Sequence, residues 1–212
     1  MGIYRYLSFE KREHIGLLTL RRPEVMNALN REITAELHSA LDELPAMFPM
    51  VRVLVLTGAG RGFCSGADLS RMGSSGSENR RSQPPGGGRR RRIQELALSL
   101  RSIPQPVVAA VNGAAAGAGL SLALACDIRI ASESARFSSI FVKRGLVPDT
   151  AASTTIAAIA GHAVAAEMSL TGRIYDAQWA LSNGLVNKVV PPGDLMDEAM
   201  DIANEIASNP PL

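Results

Sequence analysis

The sequence has few cysteines and few aromatic residues. Cys64 and Cys126 are the only cysteines among 212 residues, too few for a disulfide framework or a cluster of cysteine metal ligands. Aromatic residues make up 4% of the chain, so the core has to be built from Ala, Leu, Val and Ile. The formal net charge of +2 gives no strong basic excess that would point to nucleic acid as a partner.

The chain also has no apolar signal segment at its N-terminus, where charged residues come early, and we therefore expect a cytoplasmic protein. Hydrophobic residues make up 46% and charged residues 20%, which predicts one folded domain with a sizeable core. Residues 107–126 form an uncharged and largely apolar run of the length that a membrane span needs. Asn112, Ser121 and three glycines make it too polar and too breakable for a membrane span.

Residues 107–128, VVAAVNGAAAGAGLSLALACDI, form the stretch around which the chain is organised. Val107–Val111 predicts a buried strand, and a helix is predicted from about Ala118. The glycines between them would bring uncovered backbone N–H groups to the helix start, which suits developing negative charge. The alternative is that the small residues only allow close packing. A dinucleotide fingerprint is not present, because its third glycine is replaced by Leu122.

A second junction of a strand with a glycine loop comes earlier in the chain. The apolar run 51–57 predicts a strand covered on both faces, and it leads into the glycine-rich residues 58–69. Asp68 is placed there to cap a helix. Cys64 is a conceivable nucleophile, but no histidine is near it in sequence, and we interpret it as a small buried thiol.

The remaining pattern alternates strands and helices in the first half and is dominated by helices in the second. A hairpin is predicted over residues 4–20, and a helix capped by Asn30 follows it. Helices are also predicted from 150 to 160, from 163 to 170, after Asp176 and up to Ser208. This order predicts an α/β layered fold with a helical tail.

Residues 71–92 differ in composition from the rest, being rich in Ser, Gly, Pro and Arg without apolar periodicity. They predict a mobile loop. The four arginines 89–92 close it, and we interpret them as a solvated segment. The alternative is a phosphate contact.

The sequence resembles the crotonase superfamily, also called the enoyl-CoA hydratase/isomerase family, over almost its whole length. The matching segments are residues 22–29, 56–69, 111–128 and 135–149. The resemblance implies a spiral of ββα units with a C-terminal helical region. It also implies acyl-CoA thioester substrates, no cofactor beyond the CoA that the substrate carries, and an oxyanion hole made by the backbone N–H groups of Ala67 and Ala118.

The same resemblance implies a binding surface for the substrate and its CoA group. The positions carried over are Arg22, Met26, Ala28, Ala67, Asp68, Leu69 and Phe141.

The catalytic carboxylates depart from the hydratase pattern. Hydratases of the family use two glutamates, and their positions hold Ser121 and Phe141 in this chain, neither of which can activate water. Asp149 matches the aspartate with which the isomerase branch moves a proton along the acyl chain. A 1,3-proton shift through a thioester enolate is therefore the favoured reaction. The alternative reading of Asp149 is a helix N-cap.

Two other classes of function stay open as alternatives. One is a different crotonase-type reaction, such as hydration, hydrolysis or decarboxylation. The other is a catalytically silent homologue that binds CoA or RNA, although nucleic acid is not the expected partner.

The resemblance also predicts how the chain is divided and assembled. Residues 1–192 would form the spiral core and residues 193–212 the start of a shortened helical trimerisation region. A homotrimer or a dimer of trimers, with no membrane partner, is the expected assembly.

Overall fold

The computed structural model describes residues 2–71 and 91–210, and their strands form two sheets. The strands are β1 Leu7–Arg12, β2 Ile15–Leu20, β3 Val53–Gly58, β4 Gly62–Cys64, β5 Val107–Val111, β6 Ala114–Ala116, β7 Ile128–Ser132, β8 Arg136–Ser138, β9 Tyr175–Asp176 and β10 Lys188–Val190. One sheet has the order β1-β2-β3-β5-β7-β10 and the other has the order β4-β6-β8-β9. The predicted hairpin is confirmed, because β1 and β2 pair antiparallel.

Six α-helices accompany the strands in the described residues. They are α1 Arg31–Glu43, α2 Leu96–Arg101, α3 Ala118–Ala125, α4 Ala152–Thr171, α5 Ala177–Ser182 and α6 Leu195–Ser208. Short 3₁₀ helices lie at Pro23–Val25, Leu44–Met47, Leu69–Arg71, Ile93–Glu95, Ile140–Arg144 and Pro192–Asp194. None of the helices in these two described ranges is both long and apolar enough to cross a bilayer.

A repeated ββα unit generates the architecture. Strands β3, β5 and β7 are parallel neighbours in the large sheet, and β4, β6 and β8 are parallel neighbours in the small one. Each successive pair of strands is followed in chain order by a helix, namely α2, α3 and α4. The chain therefore steps along both sheets at once, which confirms the predicted α/β spiral of the crotonase type.

The central strands bury side chains on both faces, as their continuous apolar sequences predict. In β3, Leu54 and Leu56 enter the main core, whereas Val53 and Val55 enter a second apolar cluster behind the large sheet. Helix α6 closes that second cluster through Leu195, Ala199, Ala203 and Ala207, which recur every fourth residue. Residues 195–208 thus pack on the sheet within this chain, and the boundary after residue 192 stays a prediction.

The predicted helix ends are largely confirmed. The Asn30 side chain accepts a hydrogen bond from the Ile33 N–H at 3.0 Å, and the Asp176 side chain accepts one from the Trp179 N–H at 2.7 Å. Gly161 interrupts α4 with φ of 83° and ψ of 166°, where the sequence predicted the end of one helix before another begins. Two helical parts of α4 thus meet at this non-helical residue.

Of the predicted loop at 71–92, residues 72–90 lie outside the described residues. Arg91 and Arg92 rejoin the fold beside α1: the Arg91 guanidinium forms an ion pair with Asp42, and the Arg92 carbonyl lies 3.1 Å from Nε2 of His38. His38 Nδ1 lies 3.1 Å from the Ser99 hydroxyl on α2. The buried His38 imidazole therefore connects α1 to the segment that leads into α2.

The His38 contacts give a prediction about stability. Burial holds the pKa of His38 below its ordinary value of 6.5, so the unfolded chain takes up a proton at higher pH than the folded chain does. This difference lowers the free energy of unfolding as the pH falls through 6.5 towards the folded pKa, and has no effect well above 6.5. In urea unfolding from about pH 8 to about pH 5, His38→Gln should lose less stability than the wild type.

The exposed His162 on α4 supplies the matched control. His162→Gln removes an imidazole without touching the contact between α1 and α2. An equal loss of stability on acidification in wild type and His38→Gln would contradict the prediction.

Candidate active site

The loop after β4 presents the backbone N–H of Ala67 to the surface. Leu29 donates its N–H to the Gly66 carbonyl at 2.7 Å and accepts the Asp68 N–H at 3.0 Å, which forms a parallel bridge opposite Ala67. In a parallel bridge of this kind, the residue between the two bonded residues, here Ala67, directs its own N–H away from the bridging strand of Leu29. Ala67 is exposed, and its N–H has no acceptor among the described residues.

The second backbone donor lies at the first residue of α3. Gly117 precedes the helix with φ of 53° and donates its N–H to the Ser138 carbonyl at 3.0 Å. Ala118 then occupies the first helical position, where N–H groups have no intrahelical partner and the helix dipole is positive. Within residues 2–71 and 91–210 no acceptor pairs with the Ala118 N–H.

The two donors lie beside each other because two glycines allow the backbones to approach. A Cβ on Gly66 would lie 2.6 Å from the Ala116 carbonyl oxygen and 3.4 Å from the Ala118 nitrogen. A Cβ on Gly119 would overlap the Cys64 carbonyl oxygen. Close packing is thus seen at Gly119, one of the small residues of 107–128, and the packing at Gly66 and Gly119 brings the loop of Ala67 next to the start of α3.

The positions carried over for CoA binding are brought together around this loop. The Arg22 guanidinium donates from Nη1 to Asp68 at 3.0 Å and to the Ala28 carbonyl at 2.6 Å. The Ser65 N–H donates to the Met26 carbonyl at 2.9 Å, and the 3₁₀ helix that begins at Leu69 follows directly.

The ion pair of Arg22 with Asp68 is largely sheltered from solvent, with 12% and 14% of the two side chains exposed. Hydrogen bonds from Ser70, together with those from Arg22, hold the pKa of Asp68 below its ordinary value. Asp68 also accepts from the Ser70 N–H at 3.2 Å, as predicted for a capping residue, although the helix there is a single 3₁₀ turn.

Asn27 is a structural residue that the sequence did not reveal. Its fully buried side chain donates to the carbonyls of Ala59 and Gly62 and accepts the Arg22 N–H at 2.8 Å. The segment of Arg22 is thereby fixed to the connection between β3 and β4. The residue type was the available signal in the sequence, because asparagine adopts the left-handed conformation more readily than most residues, and Asn27 does so with φ of 57°.

Asp149 lies beside the first turn of α3, and its side chain does not cap α4. Thr150 and Ala151 have φ of 52° and 62°, so α4 begins at Ala152, two residues later than predicted. The Asp149 carboxylate instead accepts hydrogen bonds from Gln94 at 2.8 Å and from the Thr150 hydroxyl at 3.0 Å. Its backbone carbonyl lies 3.5 Å from the Ser121 hydroxyl.

Ser121 and Phe141, the two positions at which the resemblance places the hydratase glutamates, both lie next to Gly117. The Ser121 hydroxyl donates to the Gly117 carbonyl at 3.3 Å, one turn before it on α3. Phe141 is buried, and a Cβ placed on Gly117 would lie 3.9 Å from carbons of its ring. The surroundings of Gly117, at the start of α3, are therefore lined by a hydroxyl and an apolar ring.

The cysteines contribute no nucleophile to this site. Both thiols are fully buried, and burial raises the pKa of Cys64 to about 12. The interpretation of Cys64 as a buried thiol is confirmed. In the part of the chain that the structure describes, no three His, Cys, Asp or Glu residues are grouped so that they could hold a metal ion.

The comparison with protein families agrees with this geometry. The model of the family described as enoyl-CoA hydratase/isomerase matches residues 10–212. The chain belongs to this family.

Individual relatives carry both hydratase and isomerase names. The chain is 38% identical to the short-chain-enoyl-CoA hydratase of Clostridium acetobutylicum over 204 residues, 96% of this chain and 76% of that protein. It is 39% identical to the 1,2-epoxyphenylacetyl-CoA isomerase of Escherichia coli over 195 residues, 91% of this chain and 72% of that protein.

A solved structure gives the same result for the fold. The monofunctional enoyl-CoA isomerase from M. smegmatis superposes with a TM-score of 0.80 at 36% identity, covering 97% of this chain and 87% of that one. The chain is thus an enzyme-family member with the crotonase fold.

The left-handed conformation of Ala151 gives a second prediction. Alanine in this conformation carries a steric cost that glycine does not. Because Ala151 is exposed, its substitution by glycine removes no buried methyl group. Ala151→Gly should raise the free energy of unfolding by about 1 kcal/mol in urea titrations. Ala166→Gly, at an exposed helical position of α4, should lower it by about 0.5–1 kcal/mol. Equal destabilisation by both substitutions would argue against the left-handed conformation at residue 151.

Proposed function

We propose that the protein catalyses a 1,3-proton shift along the unsaturated acyl group of an acyl-CoA thioester, converting one enoyl-CoA isomer into another. The observation that carries this proposal is the position of Asp149, whose backbone carbonyl lies 3.5 Å from the Ser121 hydroxyl in the first turn of α3, the helix that begins at Ala118. The N–H groups of Ala118 and of Ala67 on the adjoining loop have no partner among the described residues.

The N–H groups of Ala67 and Ala118 would bind the thioester oxygen. Removal of a proton next to a thioester carbonyl places negative charge on that oxygen, and fixed donors aimed at it stabilise the enolate without reorganising. One such donor is typically worth about 10²–10³ in rate. Backbone donors at a helix start also favour negative charge through the helix dipole.

Asp149 would act as the base that removes the proton and returns it to a different carbon. One carboxylate is sufficient for this reaction, because the group that accepts the proton then acts as the acid. Addition of water would require a second group to position and activate the water. The Ser121 hydroxyl faces two backbone carbonyls, and Phe141 is apolar. Neither residue therefore supplies this second group.

Enoyl-CoA hydration is the second candidate, and the similarity to the Clostridium acetobutylicum hydratase favours it. It would require a base other than the groups at positions 121 and 141. The enoyl-CoA isomerase name of the M. smegmatis structure supports the first candidate in the same way that this name supports the second.

The proposal extends to how the chain binds its substrate and how it assembles. The cluster of Arg22, Met26, Ala28, Asp68 and Leu69 around Ala67 would contact the CoA part of the substrate, and Phe141 its acyl part. Because Arg22 and Asp68 neutralise each other, their main effect would be to fix the loop. A trimer or a dimer of trimers in the cytoplasm is the assembly that we propose.

Replacement of the base tests the proposal. Asp149→Asn keeps the shape of the side chain but removes its basicity and replaces one of its two acceptor oxygens with an NH₂ donor. The rate of converting a 3-enoyl-CoA into the conjugated 2-enoyl-CoA, followed by ultraviolet absorbance, should fall by about 10²–10⁴-fold, with binding of the thioester retained.

Asp176→Asn is the control, because it makes the same chemical change at an exposed helix cap where asparagine also serves. It should isomerise the substrate at the wild-type rate. Full activity in Asp149→Asn would exclude Asp149 as the base.

A further inference from the structure

The Asp149 carboxylate is held by one donor on each oxygen. Gln94 Nε2 donates to Oδ2 at 2.8 Å, and the Thr150 hydroxyl donates to Oδ1 at 3.0 Å. Two donors on opposite oxygens fix the rotation of the carboxylate about its bond to Cβ. The remaining lone pairs of both oxygens stay available for a proton.

Gln94 is held in place by its own segment. It lies in the 3₁₀ helix Ile93–Glu95, where the Glu95 N–H donates to the Arg92 carbonyl at 2.9 Å. The same carbonyl lies 3.1 Å from Nε2 of the buried His38. The Arg92 carbonyl thus fixes the backbone to α1, and Gln94 follows two residues later. Its side-chain amide therefore projects from a fixed backbone.

Thr150 is held in an unusual backbone conformation. Its φ is 52°, which is rare for a β-branched residue, and it is 3% exposed. A glycine at this position would have no such steric cost, but it would also have no hydroxyl for Asp149. Strained backbone of this kind is concentrated at functional sites, where the surrounding structure maintains it.

We propose that Gln94 and Thr150 are positioning residues that hold the Asp149 carboxylate in one orientation during the proton shift. This inference rests on the proposed function, in which Asp149 takes a proton from one carbon and returns it to another. A base that serves two carbons from one place has to keep its oxygens at fixed distances from both, and small misplacements are costly in rate.

The donors can be removed without large changes in shape. Gln94→Met keeps the length of the side chain, and Thr150→Val keeps the branch at Cβ. In isomerisation of a 3-enoyl-CoA, each should lower kcat by about tenfold and leave KM within about twofold, as expected for an interaction that acts on the reacting group. Thr150→Ser restores the hydroxyl and should recover most of the wild-type kcat.

Gln178→Met is the matched control, because Gln178 is an exposed residue of α5. It should have wild-type kcat and KM. The melting temperature of each variant is measured as well. A variant that loses kcat but melts at the wild-type temperature has lost positioning and not folding. The double variant Gln94→Met with Thr150→Val should lose less than the product of the two single effects, because both donors orient the same carboxylate.

Three results would overturn the inference. Wild-type kcat in Gln94→Met and Thr150→Val, while Asp149→Asn is inactive, would show that the base needs neither donor, and the proposed function would stand. A kcat that falls equally in Thr150→Ser and Thr150→Val would show that the hydroxyl is not the cause. Wild-type activity in Asp149→Asn would remove the proposed base and the positioning role together.

Discussion

The close approach of two backbones, the loop at Gly66 and the start of α3 at Ala118, is the constraint on which the site depends. Gly66 and Gly119 have no space for a Cβ, because carbonyl oxygens of Ala116 and Cys64 occupy it. This contact can form only if β4 and β6 lie side by side, which in turn requires the parallel order of β3 and β5. The repeated ββα unit therefore determines where a thioester oxygen would meet two N–H groups.

The backbone half of the site could be predicted from the sequence. Two local patterns carry this prediction. One is the strand, the run of small residues and the helix at 107–128, and the other is the strand with a glycine loop at 51–69. Such local patterns indicate where helices start and where backbone N–H groups are left uncovered. The burial of alternate residues of β3 on two faces follows from the same kind of pattern. The resemblance to a family then paired the two junctions.

The side-chain half could not be predicted in the same way. Gln94 precedes Asp149 by 55 residues, and nothing in the local sequence of either residue indicates their contact. Asp149 precedes an alanine-rich helical sequence, which predicts a cap. Two residues in the left-handed conformation delay the helix and turn the carboxylate to Gln94 and Thr150 instead. Tertiary structure overrides local propensity at this loop, as it commonly does near functional sites.

A mass measurement of products formed in D₂O tests the central claim most directly. The protein is incubated separately with a 3-enoyl-CoA and a 2-enoyl-CoA. We expect the double bond to migrate with uptake of deuterium and no added mass of water, because Asp149 exchanges its proton with the solvent while the enolate is bound. A product that has gained the mass of water would contradict the proposed proton shift, because hydration requires a second catalytic group besides Asp149.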